Sequence, residues 1–349
     1  MRWNDIYISA AAASLGRRET TADAVADGRY DPEENEASGY HAVRVSDEGP
    51  AVELAVRAAN LALQRCGKSG DEFELLAHAS IAHQGLDDFA VASYLHRRTV
   101  GGKATALEIR QASNGGLAAV ELAAAYLATR QGPSSALLTT ADRFVPPVFE
   151  RFRMAGGLLL GDGGTALVLS RDRGVARLLS SVAIGDSTYE GLQIGNEPWS
   201  DYPGANGWPV DGQARVEGFV AQHGAEIFPE LVQSIWRNET ETMERALADA
   251  GLGTDDITWW VFPNMGEALT DWDSRKAFGV DVSRTTWDWG RRAGHLGAGD
   301  QFAGLAYLLE SRKVRAGDRV LLNGAGTGFS FASAVVEIIE EPEWSNSAD

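Results

Sequence analysis

Cysteine is almost absent from the sequence, and long apolar runs are missing altogether. The only cysteine among 349 residues is Cys66, which excludes an internal disulfide framework and fits a reducing compartment. No stretch approaches the roughly 18 consecutive apolar residues that a membrane span requires. The first residues also lack the pattern of a signal peptide. We therefore expect a soluble, cytoplasmic protein.

Positive charge is scarce as well. Lys and Arg number 31 against 49 Asp and Glu, so the net charge is -18. This balance argues against nucleic acid or an anionic membrane as a partner. The six histidines form no cluster with cysteine or carboxylates at the spacing of a metal site, and we expect neither a metal nor a bound cofactor.

What is present is an alternation of short apolar runs with helical patterns, which predicts an α/β fold with largely buried sheets. The acidic stretch 20–46 reads as one long loop, and 216–250 as one long helical stretch. The polar residues from 341 onward read as a loose tail.

An internal repeat suggests two duplicated halves. Four residues within 62–71, an Ala-Leu pair, a Gly and an Asp, recur in the same order and at the same spacing within 246–255. The offset between the two copies is 184 positions. The same offset places the Leu pair 137–138 on the Leu pair 321–322. We therefore predict an N-terminal half, 1–172, and a C-terminal half, 173–349.

Ser113 stands where a predicted strand, 104–109, passes through a Gly-rich bend into an Ala-rich helix, 117–128. Nucleophilic serines and cysteines are often presented in this way. A serine at a helix start is also a common N-cap, so this position alone leaves catalysis and capping open.

A histidine in the second half favours catalysis. The offset of 184 maps Ser113 onto Gly297, inside the loop that contains His295 and Asp300, so the two bends are expected to meet if the halves pack about a pseudo-twofold axis. His295 would then serve as the base for Ser113, and Asp300 would orient the imidazole. Asp300 as a plain N-cap is the alternative.

Two further segments complete the candidate site. Backbone amides of Ser113 and of Thr327, on the turn 324–328, are predicted to form an oxyanion hole. This turn lacks the Gly-Lys-Ser/Thr ending of a phosphate-binding P-loop. Trp208, in a loop rich in Trp, Pro and Gly, is a candidate for contact with a ligand.

Several segments resemble the ketoacyl-ACP synthase III branch of the thiolase-fold family over nearly the whole chain. Residues 112–116, ASNGG, resemble its Ala-Cys-Ser-Gly nucleophile motif, with serine in place of cysteine. Residues 160–166, LGDGGTA, resemble its Phe-Gly-Asp-Gly-Ala segment. Residues 317–320, GDRV, and 324–328, GAGTG, resemble its closing pattern. The resemblance implies a thiolase-like fold with two βαβ-rich halves in an αβαβα arrangement.

The departures from the family pattern concern the catalytic residues. The family's catalytic His aligns with Asn264, and the Asn of its Gly-Asn-Thr-Ser segment aligns with His295. In condensing members that His/Asn pair stabilises the enolate formed by malonyl decarboxylation, and it is absent here in its usual form. Asn264 is therefore a candidate for the substrate pocket, and Ser113, His295 and Asp300 resemble the triad of acyltransferase members.

The resemblance implies an acyltransferase of secondary metabolite or polyketide biosynthesis. It would move an acyl group from an acyl carrier protein or CoA thioester, through an acyl-serine, to a hydroxyl or amine acceptor such as a sugar or aminocyclitol. The alternatives are a starter-unit ketosynthase that catalyses decarboxylative condensation, and a non-catalytic partner of a true synthase.

The resemblance also implies a homodimer. Docking of an acidic carrier protein would require a basic patch, for which Arg151 with Arg153, or Arg275 with Lys276, are candidates. An ordinary solvated surface is the alternative for each pair.

Overall fold

The computed structural model describes residues 1–344, 346 and 347. Its strands, in chain order, are β1 (Tyr7–Leu15), β2 (Arg17–Thr20), β3 (Ala42–Val45), β4 (Phe73–Ala79), β5 (Thr105–Ile109), β6 (Ser135–Asp142), β7 (Gly163–Ser170), β8 (Ala176–Gly185), β9 (Trp259–Val261), β10 (Arg319–Gly326) and β11 (Ser330–Ile338). Its helices are α1 (Thr21–Ala26), α2 (Pro32–Ser38), α3 (Ala51–Cys66), α4 (Val91–Arg98), α5 (Gly115–Ala128), α6 (Gly212–His223), α7 (Ile227–Ala250), α8 (Trp272–Ala277), α9 (Trp287–Gly290) and α10 (Asp300–Glu310).

Nine strands follow one another in the order β5-β4-β6-β7-β1-β8-β11-β10-β9. The first five belong to the N-terminal part of the chain and the last four to the C-terminal part. The two groups meet where β1 pairs with β8 over Tyr7 and Ile8. Because β4 runs parallel to both β5 and β6, the carboxyl ends of these three strands lie at the same edge of the sheet.

Helices cover the strands in layers. α5 and α10 each contact strands of both groups, while α3 and α4 pack outside the first group and α7 packs outside the second. α5 is Ala-rich and almost entirely apolar, which suits a helix buried between two sheet faces. The αβαβα arrangement expected for a thiolase-like fold is therefore present, and the largest apolar core lies around α5 and α10.

The offset of 184 positions reappears in the elements. β6 and β10 differ by 184 at both of their ends. α3 and α7 both end at a left-handed glycine, Gly67 and Gly251, which are also 184 positions apart. The predicted boundary at 172 falls between β7 and β8, and the division into two domains stays a prediction.

Three local expectations were wrong. The stretch 20–46 is not one loop, because it forms α1, α2 and β3, and Asp31 caps α2 by accepting hydrogen bonds from the amides of Glu33 and Glu34. The stretch 216–250 contains two helices, since α6 ends at Gly224 with a φ of 89°. The described part of the tail is anchored: Trp344 lies under the guanidinium of Arg65.

Among the described residues, no helix combines the length and the apolar character needed to cross a bilayer.

Candidate active site

Ser113 lies in a 3-10 turn, Ala112–Asn114, between β5 and α5. Ala112 has a φ of 47°, a left-handed conformation that residues with a Cβ rarely adopt, and it turns the chain sharply before the serine. The N-cap of α5 is Asn114, without a side-chain capping bond. The Ser113 Oγ lies instead 2.8 Å from the Nε2 of His295, so Ser113 is not the helix cap.

The backbone of His295 is held by the strand-like segment before β7. Its N–H donates to the Leu159 carbonyl at 2.8 Å, and its carbonyl accepts from the Gly161 N–H at 2.8 Å. A Cβ at Gly161 would collide with the carbonyl oxygen of Ala293. Glycine at position 161 therefore lets the loop that carries His295 approach the segment before β7 closely.

Asp300 completes a line of hydrogen bonds that begins at Ser113. Its Oδ2 lies 2.6 Å from the His295 Nδ1, and its Oδ1 accepts from the Leu296 N–H at 2.8 Å. Asp300 is the first residue of α10, and Gly299 is the N-cap. With Nδ1 facing a carboxylate, Nε2 is the imidazole nitrogen that can accept the serine proton.

Burial and charge act in opposite directions on His295. Burial lowers its pKa, but the charge of Asp300 and the hydrogen bond to it, together with the charge of Asp142, raise it, and the net pKa lies above the ordinary value of 6.5. A raised pKa describes a stronger base, which is neutral only at correspondingly higher pH.

Asn264 lies behind Asp300 and is 2% exposed. Its backbone N–H donates to the Asp300 Oδ2 at 2.8 Å. Its side-chain amide donates to the Asp300 Oδ1 and to the Gly294 carbonyl, each at 3.0 Å. Asn264 also lines a cavity of about 10 Å³ with Trp272, so a role in the substrate pocket stays a prediction.

The other two predicted site residues lie in exposed segments. Thr327 is exposed on the turn between β10 and β11. Trp208 is 42% exposed, and its indole packs over Gly204. Their roles in the oxyanion hole and in ligand contact stay predictions.

Sequence reasoning missed two buried residues next to the site. Tyr40 donates from its hydroxyl to the Asn264 carbonyl at 2.6 Å; burial, followed by the charge of Asp300, raises its pKa well above the ordinary value. Nothing in the acidic stretch 20–46 indicates this contact. Asp142, a fully buried carboxylate, ends the apolar strand β6 at the sheet edge from which Ser113 also follows, a signal that could have found it.

Two of the basic candidates for binding a carrier protein have their guanidinium groups engaged inside the protein. The Arg151 guanidinium is bound to the buried Asp162 at 2.9 Å, and Arg275 is 6% exposed with its guanidinium stacked on the Phe262 ring at 3.9 Å. The expectation was wrong for both, because these charges serve internal packing. Arg153 is exposed and lines a surface cleft of about 650 Å³.

The described residues contain no group of three or more His, Cys, Asp or Glu side chains arranged to bind a metal ion.

Comparison with known proteins shows what this chain is similar to. The family model for the 3-oxoacyl-[acyl-carrier-protein (ACP)] synthase III C terminal matches residues 247–338. A β-ketoacyl-[acyl-carrier-protein] synthase III of Chlamydia caviae is 26% identical and covers 82% of each chain. The PqsC subunit of the 2-heptyl-4(1H)-quinolone synthase of Pseudomonas aeruginosa is 26% identical over 60% of this chain and 58% of its own.

The solved structure of ChlB3, described as an acyltransferase, superimposes with a TM-score of 0.90 at 33% identity, covering 98% of this chain and 100% of its own. A 3-oxoacyl-(acyl carrier protein) synthase III from Xanthomonas oryzae gives a TM-score of 0.76 at 20% identity, which supports the fold alone. With a relative of this identity and coverage, and the synthase III model matching its C-terminal part, the chain belongs to the ketoacyl-ACP synthase III-like family of thiolase-fold proteins.

Proposed function

We propose that this protein is an acyltransferase that carries an acyl group on Ser113. The donor would be an acyl carrier protein or CoA thioester, and the acceptor a hydroxyl or amine, for example on a sugar or aminocyclitol in secondary metabolite or polyketide biosynthesis. The observation that carries the proposal is the continuous hydrogen-bonded line from the Ser113 Oγ through His295 to Asp300.

The first half-reaction forms the acyl-serine. The His295 Nε2 takes the hydroxyl proton while the Ser113 Oγ attacks the thioester carbonyl carbon, and the charge of Asp300 stabilises the resulting imidazolium. The backbone amides of Ser113 and Thr327 would donate to the tetrahedral oxyanion. The C–S bond then breaks, and His295 returns its proton to the departing sulfur.

The second half-reaction reverses these roles. The acceptor hydroxyl or amine gives its proton to the His295 Nε2 and attacks the ester carbonyl carbon. The bond to the Ser113 Oγ breaks, and the serine takes the proton back from the imidazolium. The enzyme is regenerated without a metal or a redox step.

The hydrogen bonds of Asn264 favour acyl transfer over condensation. In condensing members of the family, the residue aligned with Asn264 helps to stabilise an enolate. Both amide protons of Asn264 are used within the protein, one by the Gly294 carbonyl and one by Asp300. The enolate of a decarboxylated malonyl group would therefore lack a donor from this position.

A homodimer in the cytoplasm remains part of the proposal. The strand order ends at β5, and Leu107 of this strand is 37% exposed. An edge strand with an exposed apolar side chain is a surface that a second copy could cover by strand pairing.

The test is intact-mass spectrometry after incubation with a panel of acyl-CoA and acyl carrier protein thioesters. We expect one acyl adduct on the wild-type protein, no adduct on Ser113→Ala, and an unchanged adduct on Ser69→Ala, which replaces a serine of a surface turn. Addition of sugar or aminocyclitol acceptors should discharge the adduct.

Two other outcomes would contradict this proposal. Release of CO2 from a malonyl thioester, together with a carbon–carbon bonded product, would identify a condensing enzyme. If no thioester gave an adduct on the folded wild-type protein, it would be a non-catalytic partner.

A further inference from the structure

A buried carboxylate that the acyl-transfer mechanism does not use lies beside the histidine loop. Asp142 ends β6 with 0% of its surface exposed, and nearly all buried carboxylates need hydrogen-bonding partners. Its Oδ1 accepts from the N–H groups of Ile81 and Ala82, each at 2.7 Å. Its Oδ2 accepts from the Ala298 N–H at 3.1 Å.

These bonds hold the turn that follows His295 against the ends of β4 and β6, and the same turn packs against the helix start that follows Ser113. Ala298 is three residues beyond His295 and belongs to the 3-10 turn Gly297–Gly299. Its methyl group and carbonyl oxygen face Gly115 and Gly116 at the start of α5, directly after Ser113. Gly297 faces the Asp142 Oδ2, and a Cβ there would collide with that oxygen.

We propose that Asp142 is a positioning residue of the catalytic centre, which fixes the His295 loop against the start of α5 and stabilises protonated His295 by its charge. This inference rests on the proposed acyl-serine chemistry. Asp142 would be a second carboxylate, beside Asp300, that acts on His295. Its charge acts through space, and its hydrogen bond to the Ala298 N–H holds the backbone of the His295 loop.

The charges around Asp142 support an electrostatic role. Burial raises the pKa of Asp142 to about 7, against the lowering effect of its three backbone hydrogen bonds and of the charge of His295. In return, the charge of Asp142 raises the pKa of His295, in addition to the larger effect of Asp300. Immediately before the neighbouring strand β7, the charge of Asp162 is compensated by Arg151 at 2.9 Å.

The variant Asp142→Asn tests the proposal. Its amide oxygen can still accept from Ile81 and Ala82, but its NH2 group would face the Ala298 N–H and the charge is lost. We expect acyl-serine formation in single turnovers to be about tenfold slower than in the wild type. General base catalysis contributes a rate factor of roughly 10² to 10⁴, and Asp142 would account for part of it. The acidic limb of its pH profile should move to lower pH, because His295 loses a neighbouring negative charge.

Asp172→Asn is the matched control, since Asp172 pairs with Lys68 at 2.7 Å beyond the opposite end of β7. Asp172→Asn should leave unchanged both the rate of acyl-serine formation and the acidic limb of its pH profile. An Asp142→Asn protein with the wild-type rate would overturn the proposal. A slower acylation by Asp142→Asn with the acidic limb of the pH profile unchanged would also overturn the proposal, because Asp142 would then have only a structural role.

A titration of the wild-type protein covers the case in which Asp142→Asn does not fold. Histidine-selective NMR, with the His295 signal assigned from its loss in His295→Asn, should show two inflections, which together report the coupled titration of His295 and Asp142. A single inflection would contradict the coupling. This titration needs no substrate, so it separates failure of the Asp142 proposal from failure of the proposed acyltransferase activity.

Discussion

Asn264 supports the Asp300 carboxylate with both its backbone and its side chain. The Asp300 carboxylate accepts four hydrogen bonds, from the His295 ring, the Leu296 N–H, and the backbone and side chain of Asn264. A carboxylate held in this way keeps a fixed orientation toward the imidazole. This arrangement suits an oxygen nucleophile, which needs a stronger base than a thiolate does.

Replacing Asp300 by Asn should change both the rate and its pH dependence. The Asp300 charge raises the pKa of His295, and without it the lowering effect of burial is opposed by the smaller effect of Asp142. We expect acyl-serine formation at its pH plateau to fall by about 10²- to 10⁴-fold. Because neutral imidazole is the active form, the acidic limb should shift to lower pH than in the wild type.

The measurement is single-turnover acylation across a pH series, with far-UV circular dichroism to confirm that Asp300→Asn is folded. A limb at unchanged or higher pH would contradict the assigned role of Asp300.

Among the elements, the start of α5 and the 3-10 turn Gly297–Gly299 determine how closely Ser113 and His295 approach. Gly116 faces the Ala298 carbonyl oxygen, which a Cβ would meet at an impossibly short distance. Both partners are backbone, so no side-chain rotation can relieve the collision. Glycine at this point is therefore required for the two segments to pack.

Gly116→Ala should separate the two segments. We expect the free energy of unfolding to fall by about 1–3 kcal/mol, as is usual for overpacking, and acyl-serine formation to fall with it. The control is Gly253→Ala, because a Cβ there meets only Asp256, at an ordinary 3.9 Å. Chemical denaturation and intact-mass acylation measure the two effects, and wild-type acylation by Gly116→Ala would argue against the element pairing described here.

At the level of the whole molecule, a buried ion pair joins two layers of the fold. The Arg65 Nη1 of α3 lies 2.6 Å from the Glu310 Oε1 of α10, with side chains 4% and 0% exposed. Arg65 also donates to the Ala11 carbonyl of β1 at 2.6 Å. The Ser347 N–H donates to Glu310 as well, so the described part of the tail is anchored to the same pair.

Glu310→Gln should lower the free energy of unfolding by about 3–5 kcal/mol, because it removes one charge of a buried pair and leaves the other. The double variant Arg65→Leu/Glu310→Leu should recover part of this loss, since both charges of the pair are then replaced by apolar side chains. Urea denaturation of the three proteins measures the difference. A single variant as stable as the wild type would show that the pair contributes little.

The local pattern of the sequence determined the alternation of strands and helices, the strand–turn–helix around Ser113 and the candidate triad. Apolar periodicity encodes which faces are buried, and the duplicated spacing of 184 positions relates the serine bend to the histidine loop. The polar composition of 20–46 predicted a loop, but the stretch forms short helices. Asp31 caps α2, and Tyr30 and Tyr40 pack in a buried apolar cluster, so the stretch is ordered despite its acidic composition.

Only the tertiary structure decided which other polar groups surround Ser113, His295 and Asp300. Tyr40, Asp142 and Asn264 are far from His295 in the chain, and no periodicity relates them to it. Their contacts arise because buried hydrogen-bonding groups must find partners across elements. The same requirement turned Arg151 and Arg275 inward, where their charges pair with buried carboxylates or stack on aromatic rings and are not available to a partner protein.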